Sequence, residues 1–222
     1  MTGVTPLRVA TFNVRGLRDD RAAVVHVLRE ATADVVALQE PPRGPFGRVR
    51  TRHLAEAAGL EVAVNGGGAR TTALLVRPGL EVGLARSLRL PWQLGRTRRG
   101  VSIVDVAGVR VISVHFSLSG LERSRHLVRV MPVVRAAPGA GCIVAGDLNE
   151  RPGGPVWRRL GLVLRDLTAA SGPTYPAGDP SARIDAVLGT GGLVATGARV
   201  IDDAQARVAS DHLAVVVDVR WP

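Results

Sequence analysis

Six short polar segments of this sequence carry residue types that hydrolytic enzymes use. Five stand at the ends of apolar, strand-like runs, and the sixth, which contains Asp185, lies inside such a run. The segments are RVATFNV with Asn13, DVVALQE with Glu40, VISVHFS with His115, IVAGDLNE with Asp147 and Asn149, ARIDAVL with Asp185, and ASDHLAVVV with Asp211 and His212. A sheet presents the side chains at its strand ends to a cleft, and buried ionisable groups need a partner or a metal ion. The pattern therefore predicts a polar cleft at a sheet edge.

These residue types suit hydrolysis of a phosphate ester with the help of a divalent metal ion. The carboxylate of Glu40, assisted by the side-chain carbonyl of Asn13, is a hard oxygen ligand of the kind that Mg²⁺ prefers, and Mn²⁺ can substitute. A histidine near its ordinary pKa takes a proton from water at neutral pH, and a neighbouring carboxylate fixes its tautomer. His212 and Asp185 are the candidates for that pair.

Three further side chains suit supporting roles. Asn149 and His115 can donate hydrogen bonds to the charge that develops in the transition state, and Asp147 can position the water or protonate the leaving oxygen. Each segment also has an ordinary structural explanation. Glu40 can end a strand in water, Asp147 with Asn149 can form an Asx turn, His115 can be a satisfied core histidine, and Asp211 with His212 can begin a charged loop. The chemical interpretation is favoured because all of the segments occur together.

Strand-like runs that must position these groups dominate the chain, with helical patterns between some of them. Strands are expected at residues 7–14, 34–38, 60–64, 72–76, 101–106, 109–115, 142–145, 184–188, 194–201 and 213–219, and helices at 19–32, 48–58, 121–136 and 155–160. The pair Ala107-Gly108 indicates a hairpin turn. Helices alternate with strands early and hairpins follow later, which predicts mixed sheets in an α/β (α+β) fold, with one domain over residues 1–222.

The composition is strongly basic, but it does not identify a ligand. All 29 basic residues are arginine, and residues 41–100 carry 11 Arg and 3 Glu out of a chain whose formal net charge is +10. That region can steer a phosphate-rich substrate, or it is the solvated surface of an arginine-biased protein. Within it, Arg96, Arg98, Arg99 and Trp92 of PWQLGRTRRG are candidates for weak substrate contacts, and Trp92 is alternatively a packing residue.

Other features restrict the class of protein. The sequence has no run of 18 uncharged apolar residues and no signal-peptide pattern, so we expect a cytoplasmic protein with no membrane partner, and a monomer. Cys142 is the single cysteine and lies in the apolar run GCIVAG. It therefore cannot form an internal disulfide, and a buried, unreactive thiol is predicted.

The order of the motifs TFN, LQE, VHF, GDLN, RID and SDH resembles that of the endonuclease/exonuclease/phosphatase, or deoxyribonuclease I-like, superfamily. The resemblance runs from Asn13 to His212; single tripeptides are weak signals, whereas GDLN followed by a terminal SDH is specific. It implies a four-layered α-β-β-α sandwich, in which two mixed β-sheets lie face to face with helices outside. It also implies an active site between the sheets at one edge.

The resemblance also implies roles for single residues. Glu40 and Asn13 serve the metal with Asp211 beside them, Asp147 and Asn149 address water and phosphate, His115 contacts the scissile phosphate, and Asp185 orients His212. The implied activity is hydrolysis of a phosphodiester by a water molecule that His212 activates, with nucleic acid, DNA above all, as the first-choice substrate. A small phosphorylated metabolite, a lipid headgroup, or an inactive binding module are the alternatives.

Overall fold

The computed structural model describes residues 6–222, and it contains strands along the whole of that range. The strands are β1 (Leu7–Asn13), β2 (Val35–Gln39), β3 (Glu61–Asn65), β4 (Thr72–Val76), β5 (Val82–Arg89), β6 (Gly100–Val106), β7 (Val109–His115), β8 (Gly141–Asp147), β9 (Leu164–Asp166), β10 (Asp185–Thr190), β11 (Val194–Val200) and β12 (Val215–Arg220). The helices are α1 (Arg21–Ala31), α2 (Gly47–Ala57), α3 (Gly120–Arg135), α4 (Pro155–Leu160) and α5 (Ala204–Ala209), with a 3-10 turn at Arg15–Leu17.

The strands form two mixed sheets of six strands each, as the sequence predicted. Sheet A has the order β11-β12-β1-β2-β4-β3, and sheet B has the order β5-β6-β7-β8-β10-β9. Each sheet contains one parallel pair at its centre, β1 with β2 in sheet A and β7 with β8 in sheet B, and its other pairs are antiparallel. The two sheets are therefore built on the same plan.

Alternation along the strands explains why the sheets face each other. In β1, Leu7 and Val9 contact the core between the sheets, whereas Ala10 and Phe12 contact the helices outside sheet A. Because successive side chains of a strand point to opposite faces, an apolar strand with no polar face must be covered on both sides. Helices α1, α2 and α5 cover sheet A, and α3 and α4 cover sheet B, which completes the predicted four layers.

Three elements were not predicted from the sequence. Strand β5 is an edge strand with mostly exposed side chains, and β9 has only three residues, so neither shows a clear apolar alternation. Helix α5 has six residues, and it begins where the side chain of Asp203 accepts a hydrogen bond from the amide of Ala206 at 2.7 Å. Elements this short depend on tertiary packing and capping more than on sequence pattern.

Several local predictions are confirmed. The turn between β6 and β7 has Ala107 and Gly108 at positive φ, which is typical of a tight hairpin. Cys142 is fully buried, and burial raises the pKa of its thiol to about 12, so the thiolate that would react is disfavoured. Within residues 6–222, none of the helices is both long enough and apolar enough to span a membrane.

Candidate active site

The topology brings the predicted polar residues to one edge of the sandwich. Asn13 ends β1, His115 ends β7 and Asp147 ends β8. Strands β12 and β10 run antiparallel to these, so the residues at their starts reach the same edge. Asp185 lies in a strand, as expected, but as the first residue of β10, where it is paired with Asp147 across the ladder.

Side-chain alternation then turns these strand ends toward the space between the sheets. Residues of β1 and β7 that share a face with Asn13 and His115, such as Val9 and Val111, belong to the core between the sheets. Towards the active-site edge this core becomes polar. The side-chain amide of Gln39 donates to Ser113 Oγ at 3.2 Å, which joins sheet A to sheet B directly beneath the site. The scaffold under the site is therefore fixed by hydrogen bonds, which are directional, as well as by apolar packing.

His212 and Asp185 form a buried histidine–carboxylate pair. Nδ1 of His212 lies 2.9 Å from Oδ2 of Asp185, and the hydroxyl of Thr174 donates to the same oxygen at 2.7 Å. The ring of Tyr175 lies against the imidazole, with 4.9 Å between the ring centroids. Because a carboxylate oxygen only accepts, the proton of the imidazole is held on Nδ1, and Nε2 faces the cleft.

Asp147 contacts several of the other polar side chains of the cleft. Its Oδ2 accepts hydrogen bonds from the side-chain amides of Asn13 and Asn149, both at 3.2 Å, and lies 3.5 Å from Nε2 of His115 and 3.9 Å from Nε2 of His212. Its Oδ1 accepts from the backbone amide of Asn149 at 2.8 Å. The Asx turn considered for this segment is thus present, and it aims the second carboxylate oxygen into the site.

The residues expected to hold a metal ion line the opposite side of the cleft. Glu40 adopts a positive φ of 50° directly after β2, and its carboxylate lies 3.8 Å from Nε2 of His115. Asp211 lies 3.4 Å from the guanidinium of Arg15. The side-chain carbonyl of Asn13 accepts the backbone amide of Arg15 at 3.1 Å, so this oxygen already has one partner.

The closely spaced carboxylates alter the proton affinity of the site. Burial disfavours the imidazolium of His212, but the carboxylates around it, Asp185 foremost, outweigh burial and raise the pKa of His212 to about 10. Burial, together with the negative charge of Asp185, raises the pKa of Asp147 to about 7. The cleft therefore holds more negative charge than its own cations offset, which favours the binding of a proton or a metal cation.

Two other charged groups of the cleft are shifted in the opposite direction. Burial, with the positive charge of Arg99, lowers the pKa of His115 well below its ordinary value, so this imidazole is neutral. Burial also lowers the pKa of Arg99, whose guanidinium donates to the backbone carbonyl of His115 at 3.3 Å. At neutral pH, Arg99 is therefore a buried cation of the cleft and His115 is a neutral donor.

These residues enclose a cleft of about 230 Å³. It is lined by Asn13, Glu40, Arg99, His115, Leu118, Asp147, Asn149, Tyr175, Ile184, Asp211 and His212. Side-chain atoms of Asp147, Asp185 and His212 that could bind a metal ion lie within 4.8 Å of one another, so this buried group is able to hold one. Asp185 and His212 are already hydrogen-bonded to each other.

The arginines of the loop PWQLGRTRRG do not all line the cleft. Arg99 lines the cleft, and Arg98 lines a neighbouring cavity, where its guanidinium stacks on Trp92 at 4.3 Å from the ring centroid. Trp92 itself donates to the carbonyl of Arg96, and both residues lie outside the residues that line the cleft. Thr174 and Tyr175 were missed by the sequence analysis, because their loop, GPTYP, carries only turn signals.

Comparisons with known proteins identify the family and agree with the fold. Residues 10–212 match the model of the Endonuclease/Exonuclease/phosphatase family. An endonuclease/exonuclease/phosphatase from Bacteroides vulgatus shares the fold at a TM-score of 0.79 and 15% identity, covering 99% of this chain and 100% of that one. A protein of the same description from Beutenbergia cavernae is 25% identical at a TM-score of 0.70, covering 98% and 72%, and a Bacteroides thetaiotaomicron mannosyl-6-phosphatase is 17% identical at 0.77, covering 97% and 100%. No curated protein matches this chain in sequence.

Proposed function

Because this chain belongs to the endonuclease/exonuclease/phosphatase family, we propose that it is a divalent-metal-dependent phosphoesterase that hydrolyses phosphodiesters, with nucleic acid as the first-choice substrate. The observation that carries the proposal is the buried pair of His212 and Asp185, whose Nδ1 to Oδ2 distance is 2.9 Å. When His212 is neutral, such a pair leaves its Nε2 available to remove a proton from water. The water would then attack the phosphorus atom.

Asp147, Asn149, His115 and Arg99 have supporting roles in this proposal. The two donors, Asn149 and His115, stabilise charge on the phosphate oxygens as the transition state forms. Arg99 adds a fixed positive charge in a water-poor site, where charge interactions are strong. With a pKa raised to about 7, Asp147 is able to carry a proton near neutral pH and deliver it to the leaving oxygen.

The donor set fits a divalent cation held by Glu40, Asn13 and Asp211. Among the described residues the Glu40 carboxylate accepts no hydrogen bond, and Oδ1 of Asp185 is buried without a partner, so the cleft contains carboxylate charge that is not compensated. Mg²⁺ is the first choice for such oxygen ligands, and Mn²⁺ is able to replace it. When bound, the cation would neutralise charge on the phosphate and, by offsetting the carboxylates, lower the pKa of His212.

Two observations bear on the substrate. Arginines cluster beside the cleft, which supports a phosphate-rich ligand such as nucleic acid. The cleft itself is small, about 230 Å³, which also suits a small phosphoester, and the same fold serves a mannosyl-6-phosphatase. Hydrolysis of a small phosphorylated metabolite is therefore the second candidate function.

The test is a panel of substrates offered to the purified protein with Mg²⁺ or with EDTA. The panel contains supercoiled plasmid, a duplex with an abasic site, bis-p-nitrophenyl phosphate and p-nitrophenyl phosphate. The His212→Ala variant, prepared in the same way, controls for contaminating hydrolases.

The proposal expects cleavage of DNA and of the small diester that needs both Mg²⁺ and His212. Cleavage of the small esters alone, with DNA intact, would transfer the proposal to the second candidate. Absence of activity on all four substrates, or activity that EDTA does not remove, would contradict the proposed reaction.

A further inference from the structure

A large cavity beside the catalytic cleft is lined by arginine. It has a volume of about 520 Å³ and lies between the start of α2, the loop from β3 to β4, and the loop from β5 to β6. Four of its lining residues are Arg43, Arg48, Arg70 and Arg98, and none of the others is acidic. We call it the arginine cavity.

None of the four arginines is paired with a carboxylate among the described residues. Several arginine side chains elsewhere in the protein are paired with carboxylates, namely Arg8 with Asp218, Arg77 with Asp34, Arg110 with Asp105 and Arg183 with Asp166. Over residues 6–222, by contrast, the side chains of the arginine cavity make no salt bridge and no hydrogen bond. Four like charges around one cavity repel one another, so an anion bound there relieves a cost that the folded protein carries.

Local structure gives two of these arginines defined positions. A Cβ atom on Gly66 would lie 2.4 Å from Nε of Arg48, so the glycine leaves the space that this guanidinium occupies. The guanidinium of Arg98 is held over Trp92 by a cation–π contact. The side-chain nitrogen of Asn65, another residue of the cavity lining, is buried and has no partner among the described residues. The cavity is thus lined with hydrogen-bond donors whose acceptor must come from outside the protein.

The arginine cavity adjoins the catalytic cleft at two points of the chain. Arg43 follows Glu40 by three residues, and Arg98 directly precedes Arg99. The charge of Arg43 also contributes to the lowered pKa values of His115 and Arg99, which places it within electrostatic range of the cleft. A molecule whose reacting phosphate lies in the cleft is therefore able to extend into the arginine cavity.

We propose that the arginine cavity binds a second phosphate group of the substrate, one that the enzyme does not hydrolyse. Guanidinium groups bind phosphate through paired, charge-assisted hydrogen bonds, and several around one cavity match the several oxygens of one phosphate. This inference rests on the proposed function, because it places the reacting phosphate in the catalytic cleft. The second phosphate belongs either to the adjoining nucleotide of a nucleic acid or to a small molecule with two phosphates.

The experiment compares substrates that differ by that one phosphate. The nucleotide pairs are thymidylyl-thymidine with its 5′-phosphorylated and with its 3′-phosphorylated forms, and the small-molecule pair is inositol monophosphate and inositol bisphosphate. Each is hydrolysed by the wild type, by the double variant Arg48→Ala with Arg70→Ala, and by a matched control, Arg129→Ala with Arg159→Ala. The control removes the same charge from exposed positions of α3 and α4.

We expect the double variant to lower the preference for the two-phosphate member, measured as the ratio of kcat/KM values, by about tenfold or more, mainly through KM. The control should keep the wild-type ratio. If the double variant loses its preference in a nucleotide pair, the second phosphate belongs to a nucleic acid. If it loses its preference in the inositol pair, the second phosphate belongs to a small molecule. An unchanged preference in the double variant, or an equal fall in the control, would overturn the proposal.

A direct binding measurement separates this proposal from the proposed function. The proposed function is decided by the substrate panel described above, and should the wild type hydrolyse none of the pairs, the cavity is tested by calorimetry with inorganic pyrophosphate in the absence of metal. The proposal expects binding to the wild type and the control, and binding about tenfold weaker or more to the double variant. Equal affinities of the three proteins would overturn it.

Discussion

In the catalytic cleft most of the ionisable groups are buried and paired, whereas the guanidinium groups of the neighbouring arginine cavity make no hydrogen bond and no salt bridge among the described residues. The polar groups of the cleft form hydrogen bonds with one another and with the residues around them, as in the contacts of Asp185 with His212 and Thr174. In the arginine cavity, the guanidinium groups are hydrogen-bond donors that a ligand is able to use. In our proposal the cleft carries out the reaction and the cavity selects the substrate.

The division of roles between the cleft and the arginine cavity is tested best by disturbing the buried pair of His212 and Asp185 without removing the histidine. In Asp185→Asn the carboxylate that orients His212 is lost, and kcat should fall by about a hundredfold for every substrate, whatever its number of phosphates. Asp185 is also the foremost of the carboxylates that raise the pKa of His212, so the acidic limb of the pH–kcat profile should move to lower pH.

An exposed pair of the same residue types provides the control. Nε2 of His26 lies 3.1 Å from Oδ2 of Asp203 at the surface. Asp203→Asn should keep the wild-type kcat and pH profile, and the amide oxygen of the new side chain is still able to accept the hydrogen bond that caps α5. A wild-type kcat in Asp185→Asn would mean that the buried pair is structural, and the division between the two regions would fail.

The residues expected to hold the metal ion predict a smaller effect, which concerns the Mg²⁺ requirement and not kcat. Glu40→Gln removes one carboxylate ligand and should raise the Mg²⁺ concentration for half-maximal activity by about tenfold or more. The matched variant Glu56→Gln changes an exposed carboxylate of α2 that contacts only Arg52, and it should behave as the wild type does. Metal titrations of both variants with bis-p-nitrophenyl phosphate measure this, and an unchanged Mg²⁺ requirement in Glu40→Gln would exclude Glu40 as a ligand.

Ionic strength should separate the two regions in one protein. Salt screens exposed charges strongly and buried ones weakly, so a rise from about 50 to 500 mM NaCl should increase KM for a two-phosphate substrate about fivefold and change kcat little. Initial rates at fixed Mg²⁺ measure both constants. A fall in kcat with an unchanged KM would reverse the roles assigned to the cleft and the cavity.

The smallest expected effect concerns stability. The folded protein holds the pKa of Asp147 at about 7, whereas an unfolded chain has it near 4, so the wild type loses stability as the pH rises from about 4 to 7 and not beyond. Asp147→Asn removes this loss. Without metal, its Tm relative to the wild type should therefore rise by about 2–8 °C between pH 5 and pH 8. A constant difference in calorimetric Tm would show that Asp147 is already ionised at pH 5.

Sequence reasoning succeeded where a motif and its scaffold are local, and it failed where long-range packing decides. Asn13, His115 and Asp147 were found because each ends an apolar run, which the strands β1, β7 and β8 then confirmed. Thr174 carries no such signal, because its contact with Asp185 depends on how a loop folds back over β10. The alternation that marks a buried strand is missing from β5, an exposed edge.

The arginine cavity was only partly foreseen for the same reason. The excess of arginine in residues 41–100 was visible in the sequence. Which of these arginines meet was not, since Arg48, Arg70 and Arg98 come from three separate segments that tertiary structure alone brings together. Pairing also depends on the fold: Arg77, from the same region, forms an ion pair with Asp34, which directly precedes β2.

The most direct test of the account is the kcat for bis-p-nitrophenyl phosphate of the wild type, His212→Ala and His53→Ala at saturating Mg²⁺. His53 is an exposed histidine of α2 and serves as the matched control. The account predicts that His212→Ala loses about a hundredfold or more in kcat with its fold intact by circular dichroism, while His53→Ala keeps the wild-type value. A folded His212→Ala protein with the wild-type rate would contradict the assignment of His212 as the base.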